Sequence, residues 1–461
     1  MTDSEGANGE LDEDAYEDAA EEEDTEDLQV EALGPFTDNP DIDSPPANGS
    51  QVPDFATDPL PDPPPITSLL AGDVPFLLMA KSHLHAAQVP AALGVASRVT
   101  QGSIGLGAVI RLPRMSPSRA QSFLTSCASA QILIADPEVY ALPGTGVPRG
   151  QLKSRYLSQY PWIAGVPAVS SSPQQRQQWA NDVLNAQRTA GANVLLSASG
   201  WVSDQQAPVS LAAAMRWVSD SRAVAGSDPM FVNLTLASGW LSNPSLRSAL
   251  LDEIVESNEP LWYLRVYWPI VEPRYGQLID TAMLDGYKDL AQTARLEGKV
   301  LVLANSGLTG WIATALGGSG FSTGISWAEQ AFAAERVFSN RPNQERPPAV
   351  PRYFDRTAFH PFTWQASESM DAAAVPGHLR CWCRFCRQMR AANEWDPGRA
   401  GAHYLVRAAR LTSQLVTPNR RRAARQLVQD AQAFVASIAA TPHALTGRYS
   451  PGHLAVWASL L

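Results

Sequence analysis

The segment LGAVIRLPRMSPSRAQSFLTSCASAQILIADPEVY, residues 106–140, places a helical stretch between two short apolar runs. LGAVIR and QILIA are near-continuous in apolar residues rather than alternating, so strands made from them call for cover on both faces. PSRAQSFLTSCASA reads as the helix between them, with Cys127 a small buried residue on it. The same alternation runs along most of the chain. Candidate strands are Phe76–Ala80, Leu106–Arg111, Gln131–Ala135, Asn193–Ala198, Met230–Leu236, Leu261–Tyr267, Lys299–Ala304 and Phe321–Ile325. Strand, helix, strand in repetition is the pattern of a parallel sheet. Eight such units in about 250 residues fit an α/β fold of the (β/α)8 TIM type better than an open doubly wound sheet. No GxGxxG fingerprint opens the first unit, which argues against a dinucleotide-binding fold.

The barrel is expected to span residues 66–345, followed by a C-terminal zinc-binding and helical appendix over 346–461. The appendix contains HLRCWCRFCRQMR. Cys381, Cys383 and Cys386 stand in a C-x-C-x-x-C spacing, and His403 follows after sixteen intervening residues. Three thiolates and an imidazole complete a tetrahedral set for a structural Zn2+, with no position left open for water. HYLVRAARLTSQLV has helical periodicity, so His403 is expected to open a helix and tie the cysteine loop to it. His378, three residues before Cys381, is the alternative ligand; His360, His443 and His453 are more distant.

The formal charge of −11 averages two unlike parts. Residues 1–73 carry 22 Asp or Glu and no Lys or Arg; subtracting them from the chain's 46 acids leaves 24, against 35 basic residues. Residues 1–65 therefore read as a disordered acidic and Pro-rich tail. Residues 380–461 hold 12 Arg, no Lys and three acids. A basic body suggests an anionic partner, most simply nucleic acid, DNA or RNA; a solvated arginine-rich surface is the plainer alternative. The tail's charge suits a mimic of nucleic acid that covers the basic surface. No apolar run reaches the length of a membrane span, no secretory signal is visible, and unpaired clustered cysteines fit a reducing cytoplasm.

In barrels of this type the chemistry lies at the C-terminal ends of the strands. Asp136 follows an apolar strand there and is the candidate nucleophile or general base, or else a turn cap before Pro137. Lys81, Arg111, Arg265 and Tyr267 stand at strand ends as candidate substrate-binding groups, and the two basic residues nearest the start need an anionic partner. Asn305, Ser306 and Gly307 end another strand, and ASGW occurs twice, at 198–201 and 237–240. Gly-Ser pairs there admit a ligand close to the backbone, or simply break the strand. GGSGFSTG, residues 317–324, carries the same ambiguity.

A barrel followed by C-x-C-x-x-C and then a histidine before YLVRAARL resembles the tRNA-guanine transglycosylase family, which includes relatives that insert 7-deazaguanine bases into DNA. The resemblance rests on Cys381, Cys383, Cys386 and His403 and covers about 30 residues. It implies a structural zinc, a nucleic-acid surface and base exchange. The interval from Cys386 to His403 is shorter than the family's, and residues 324–327 offer no carboxylate before Glu329, where the family has its nucleophile; Asp136 would stand in. Arg420, Arg421, Arg422 and Arg425 would grip the backbone. A non-catalytic nucleic-acid-binding relative and an unrelated barrel hydrolase with a structural zinc are the alternatives.

Overall fold

Nine short strands are buried along nearly their whole length, as apolar runs without alternation require. They are β1 Phe76–Ala80, β2 Gly105–Arg111, β3 Ile132–Asp136, β4 Leu195–Leu196, β5 Trp201–Val202, β6 Met230–Leu236, β7 Leu261–Val266, β8 Val300–Ala304 and β9 Gly320–Gly324. The computed structural model describes residues 42–43, 62–81, 86–148, 151–269, 276–334 and 353–461. The expected tail falls almost wholly outside these residues, as does the expected boundary at 345/346.

Every ladder is parallel, in the order β3-β2-β1-β9-β8-β7-β6-β4, with β5 alongside β6. β4 and β5 both pair with β6, so they are two halves of one strand position. The expected continuous strand over Asn193–Ala198 is interrupted because serine hydroxyls replace the ladder. Ser197 Oγ accepts from Asn233 N at 2.9 Å, and Ser221 Oγ accepts from Ala198 N at 3.0 Å. The result is a nearly closed parallel barrel of eight strand positions. Its seam lies between β3 and β4, where Asn193 substitutes for a ladder. Asn193 N donates to Leu133 O at 3.1 Å, Asn193 Oδ1 accepts from Leu133 N at 2.8 Å, and Asn193 Nδ2 donates to Gln131 O at 2.9 Å.

Alternate residues fill the barrel: Leu78, Ile134, Phe231, Tyr263 and Val302 form one buried cluster. Leu69, from a short helix at Ile66–Leu70, joins them at the N-terminal end. The bulk of Leu78 is why β2 carries glycine. A Cβ at Gly107 would lie 2.3 Å from Leu78 Cδ2 and 2.7 Å from Ile132 O. The intervening residues, such as Leu77, Met79, Leu301 and Leu303, pack into an outer helical layer. That layer includes α1 Gln88–Thr100, α2 Pro117–Ser126, α3 Pro173–Thr189, α4 Ala207–Ala225, α5 Pro244–Glu256, α6 Thr281–Leu296 and α7 Gly307–Leu316. α2, α3, α5 and α6 start at side-chain caps, Ser116, Ser172, Asn243 and Asp280. Ser172 and Gln175 close a full capping box on α3, and Asp280 Oδ1 accepts from Met283 N at 2.9 Å on α6.

After β9 come a hairpin, β10 Tyr353–Asp355 with β11 His360–Phe362, and helices α8 Trp364–Ala372, α9 Arg384–Ala392, α10 Pro397–Ser413, α11 Arg420–Ile438 and α12 His453–Leu460. α10 is not an appendage. It packs against α1 and touches β1, β9 and α7, so it is part of the barrel's outer wall. Tyr404 OH lies 2.8 Å from Thr323 Oγ1 of β9. A Cβ at Gly401 would come within 2.2 Å of Ile325 Cγ2, so only glycine admits that approach. The hairpin is fastened to the loop after β7, where Gln277 Nε2 donates to Phe359 O at 3.1 Å. Asn193→Ala is expected to cost about 1–2 kcal/mol, read from the urea midpoint, because one side chain carries two hydrogen bonds of the seam.

Candidate metal centre and barrel mouth

α10 begins at Pro397, where Asp396 Oδ1 accepts from Arg399 N at 2.6 Å. His403 therefore sits in the second turn rather than opening the helix. Cys383 is the N-cap of α9, which turns Cys386 back toward it. Cys381, Cys383, Cys386 and His403 converge, with all four donor atoms within 4.8 Å of one another and every residue buried. His403 Nδ1 lies 3.6, 3.4 and 3.1 Å from the sulfurs of Cys381, Cys383 and Cys386. This cluster can hold a metal ion.

Its surroundings fix the ligands. His403 Nε2–H donates to Phe354 O at 2.8 Å, which leaves the Nδ1 lone pair facing the sulfurs. Tyr353 stacks on the imidazole at 4.5 Å, and its hydroxyl lies 3.4 Å from Cys386 Sγ. Arg390 Nη1 donates to Cys381 O at 2.7 Å. Without a cation the four groups compete for protons. Burial favours a neutral His403, but the Cys381 and Cys383 thiolates outweigh it and raise the imidazole to about 10. Burial and the neighbouring sulfurs push Cys386 well above an ordinary thiol, while Cys381 is held well below one, since hydrogen bonds from Cys383 and Cys386 overcome burial. A dication would displace these protons.

At the C-terminal ends of the strands the barrel core changes from apolar to ionic. Asp136 pairs with Arg265, and each is only 1% exposed. Arg265 also donates to Asn305 Oδ1 at 2.9 Å and Thr235 Oγ1 at 3.0 Å, and lies 4.5 Å over the Tyr140 ring. Glu138 accepts from Arg114 Nε at 3.0 Å and from Tyr140 OH at 2.9 Å. Arg111 Nη2 donates to Glu329 Oε1 at 3.0 Å and comes within 3.9 Å of Glu138. Burial lifts the Asp136 carboxyl above the usual range; Arg265 opposes that and Glu138 adds to it. Glu138 and Asn305 both have left-handed backbone, at φ 48° and 47°. Gln101, Phe359, Ala374 and Asn393 share this conformation away from the mouth.

The expected site residues divide accordingly. Asp136, Arg111, Arg265 and Asn305 meet at this mouth. Asp136 also caps its turn, since Oδ1 accepts from Glu138 N at 2.9 Å. Arg111 finds its anion in Glu329 rather than in Asp136. Lys81 faces the outer layer instead, with Nζ 5.9 Å from the Phe123 ring. Tyr267 packs edge-on against Trp201 at 6.3 Å and Phe332 at 6.1 Å. Ser306 Oγ donates to Leu303 O at 2.8 Å, and Gly307 takes φ 52° where a Cβ would lie 2.7 Å from Gly276 O, so both serve the turn into α7. Gly317–Ser319 turn into β9 at the opposite end of the barrel. Arg420 donates to Gly318 O there at 3.3 Å, which places the arginine cluster away from the mouth. Arg421 donates to Leu460 O at 3.3 Å, Arg425 donates to Leu461 O, and Arg422 is exposed.

Tyr353 and Phe354 are the residues that sequence reasoning passed over, because the hairpin carried no period long enough to recognise. Glu138 follows the third strand in the sequence, two residues past Asp136. A cavity of about 1000 Å³ opens beside α3, lined by Leu112, Tyr160, Trp162, Gln175 and Trp179, and none of the charged mouth residues lines it. No protein-family model matches the chain, and no curated protein matches it. Among the described residues no helix is long and apolar enough to cross a membrane.

His378, the alternative ligand, is occupied elsewhere. Its Nε2 lies 2.8 Å from Asp355 Oδ2 and its Nδ1 2.9 Å from Asp371 Oδ1. Burial lowers its pKa, but the two carboxylates win and raise it from 6.5 to about 9. A folded pKa above the unfolded one means stability that is complete below pH 6.5 and lost as pH rises through about 9. His378→Gln should therefore destabilise the protein clearly at pH 6 and hardly at pH 10, measured as the difference in urea midpoint from the wild type.

Proposed function

We propose that the chain is a zinc-containing (β/α)8 barrel protein similar to the tRNA-guanine transglycosylases, acting on nucleic acid at the C-terminal mouth of its barrel. The observation that carries this reading is the buried Cys381–Cys383–Cys386–His403 cluster, whose histidine lies on α10, a helix of the barrel wall that follows the last strand. Zinc suits the donor set. In a tetrahedron with Zn–S of about 2.3 Å and Zn–N of about 2.0–2.1 Å, sulfur and nitrogen stand about 3.6 Å apart. The separations from His403 Nδ1 are 3.1–3.6 Å. Four protein donors leave no site for water, so the ion's contribution is structural. It joins α9, the hairpin and the barrel wall. A reducing, cytoplasmic setting would keep the three thiols available for it.

As an enzyme, the protein would exchange a nucleobase. The Asp136 carboxylate would attack C1′ of the target nucleotide as the glycosidic bond breaks and the base leaves with a proton. An incoming 7-deazaguanine-type base would then reverse the step. Arg265 would orient Asp136, and the neighbouring Glu138 carboxyl would give the leaving base its proton and take one back from the incoming base. One observation favours a second reading, a nucleic-acid-binding relative without chemistry: Asp136 is fully buried and already committed to Arg265.

Zinc content tests the site that both readings share, and an adduct assay separates them. Purified protein should contain about one zinc per chain, and Cys383→Ser and His403→Ala should each lose it, since a removed ligand leaves an incomplete site. Incubation with DNA or RNA should give a covalent adduct on a denaturing gel that Asp136→Asn abolishes. Salt-sensitive binding without an adduct would select the binding protein. No binding to either polymer would remove both.

A further inference from the structure

Ile42 and Asp43 belong to the acidic N-terminal sequence, yet they are docked on the C-terminal elements. Ile42 is 1% exposed. Its carbonyl accepts from Trp382 N at 3.0 Å and from Arg407 Nη2 at 3.3 Å. The Asp43 carboxylate meets Arg407 Nη1 at 2.6 Å and Arg410 Nε at 3.6 Å, and pairs with Arg356 as well. Arg356 Nη2 also donates to Asp43 O at 3.1 Å, while its Nε is held by Leu379 O at 2.9 Å. Three guanidiniums from two elements, α10 and the turn of the β10–β11 hairpin, thus converge on one carboxylate.

An exposed ion pair would carry little meaning. Here Arg407 is only 4% exposed at its side chain, and the neighbouring isoleucine is wholly buried, so the dipeptide fills a shaped site. Planar guanidinium forks match two oxygens on one centre, in a carboxylate or in a phosphodiester.

We propose that Arg356, Arg407 and Arg410 form a phosphodiester-binding clasp for nucleic acid, and that Ile42–Asp43 is a built-in competitor that covers it. The inference rests on the nucleic-acid reading above and adds a regulated contact to it. Tethering gives the competitor an effective concentration on the order of millimolar, so a polymer displaces it only by making further contacts at the same time.

The test is fluorescence anisotropy of the full chain with a labelled single strand of about 20 nucleotides, as DNA and as RNA, at low and moderate salt. Asp43→Asn and Ile42→Gly should each tighten binding about tenfold at low salt, at unchanged metal content. Ile42→Gly keeps every charge, so agreement between the two variants attributes the gain to undocking. Adding Arg410→Gln to Asp43→Asn should return the affinity toward the wild-type value and reduce the salt slope by about one. If the wild type binds and neither tail variant binds more tightly, the clasp proposal fails while nucleic-acid binding stands. If no form binds, both fall.

Discussion

A parallel sheet has to be covered on both faces, and in this protein that requirement is met by rolling the sheet on itself. The inner face becomes a core lined by Leu78, Ile134, Phe231 and Tyr263, and the outer face receives the helices. The inward-pointing rows continue to the ends of the strands, where Asp136 and Arg265 replace the apolar side chains. Putting charges in that position costs desolvation that a hydrocarbon pair would avoid. The pair is held in place by further donors and acceptors, Asn305, Thr235 and the backbone of Glu138.

The wall of the barrel depends on a distant part of the chain. α10 lies against α1 and β9, but its connection to β9 runs through the hairpin and the cysteine loop. His403 joins these pieces at one point, through the sulfurs on one nitrogen and Phe354 O on the other. The Cys3His cluster and the barrel are therefore tied together through one helix. The same helix also presents Arg407 and Arg410 to Asp43, so one element carries part of the wall, a member of the cluster and two partners of that carboxylate.

Much of this was legible in the residues. The strands announced themselves as apolar runs, with ends displaced by about one residue, as at Ile132–Asp136 and Gly320–Gly324. The strand near Asn193 was misread because hydroxyl groups on Ser197 and Ser221 can take over ladder bonds, which an apolar count does not register. The convergence of Cys381, Cys383, Cys386 and His403 was readable from the C-x-C-x-x-C spacing and the histidine that follows it. The position of α10 was not, since periodicity states which face is buried and not what covers it. Arg420, Arg421 and Arg425 each give a donor to a main-chain oxygen, a contact that a charge count does not register. Asp43 was invisible among so many equivalent acids.

The N-terminal end of the barrel is stoppered by Leu69 and Phe76 beneath the aliphatic layer. A molecule that reaches Asp136 cannot pass through the tube and must retreat the way it came. Anything that binds beside the Asp136–Arg265 pair therefore comes and goes on one side of the barrel.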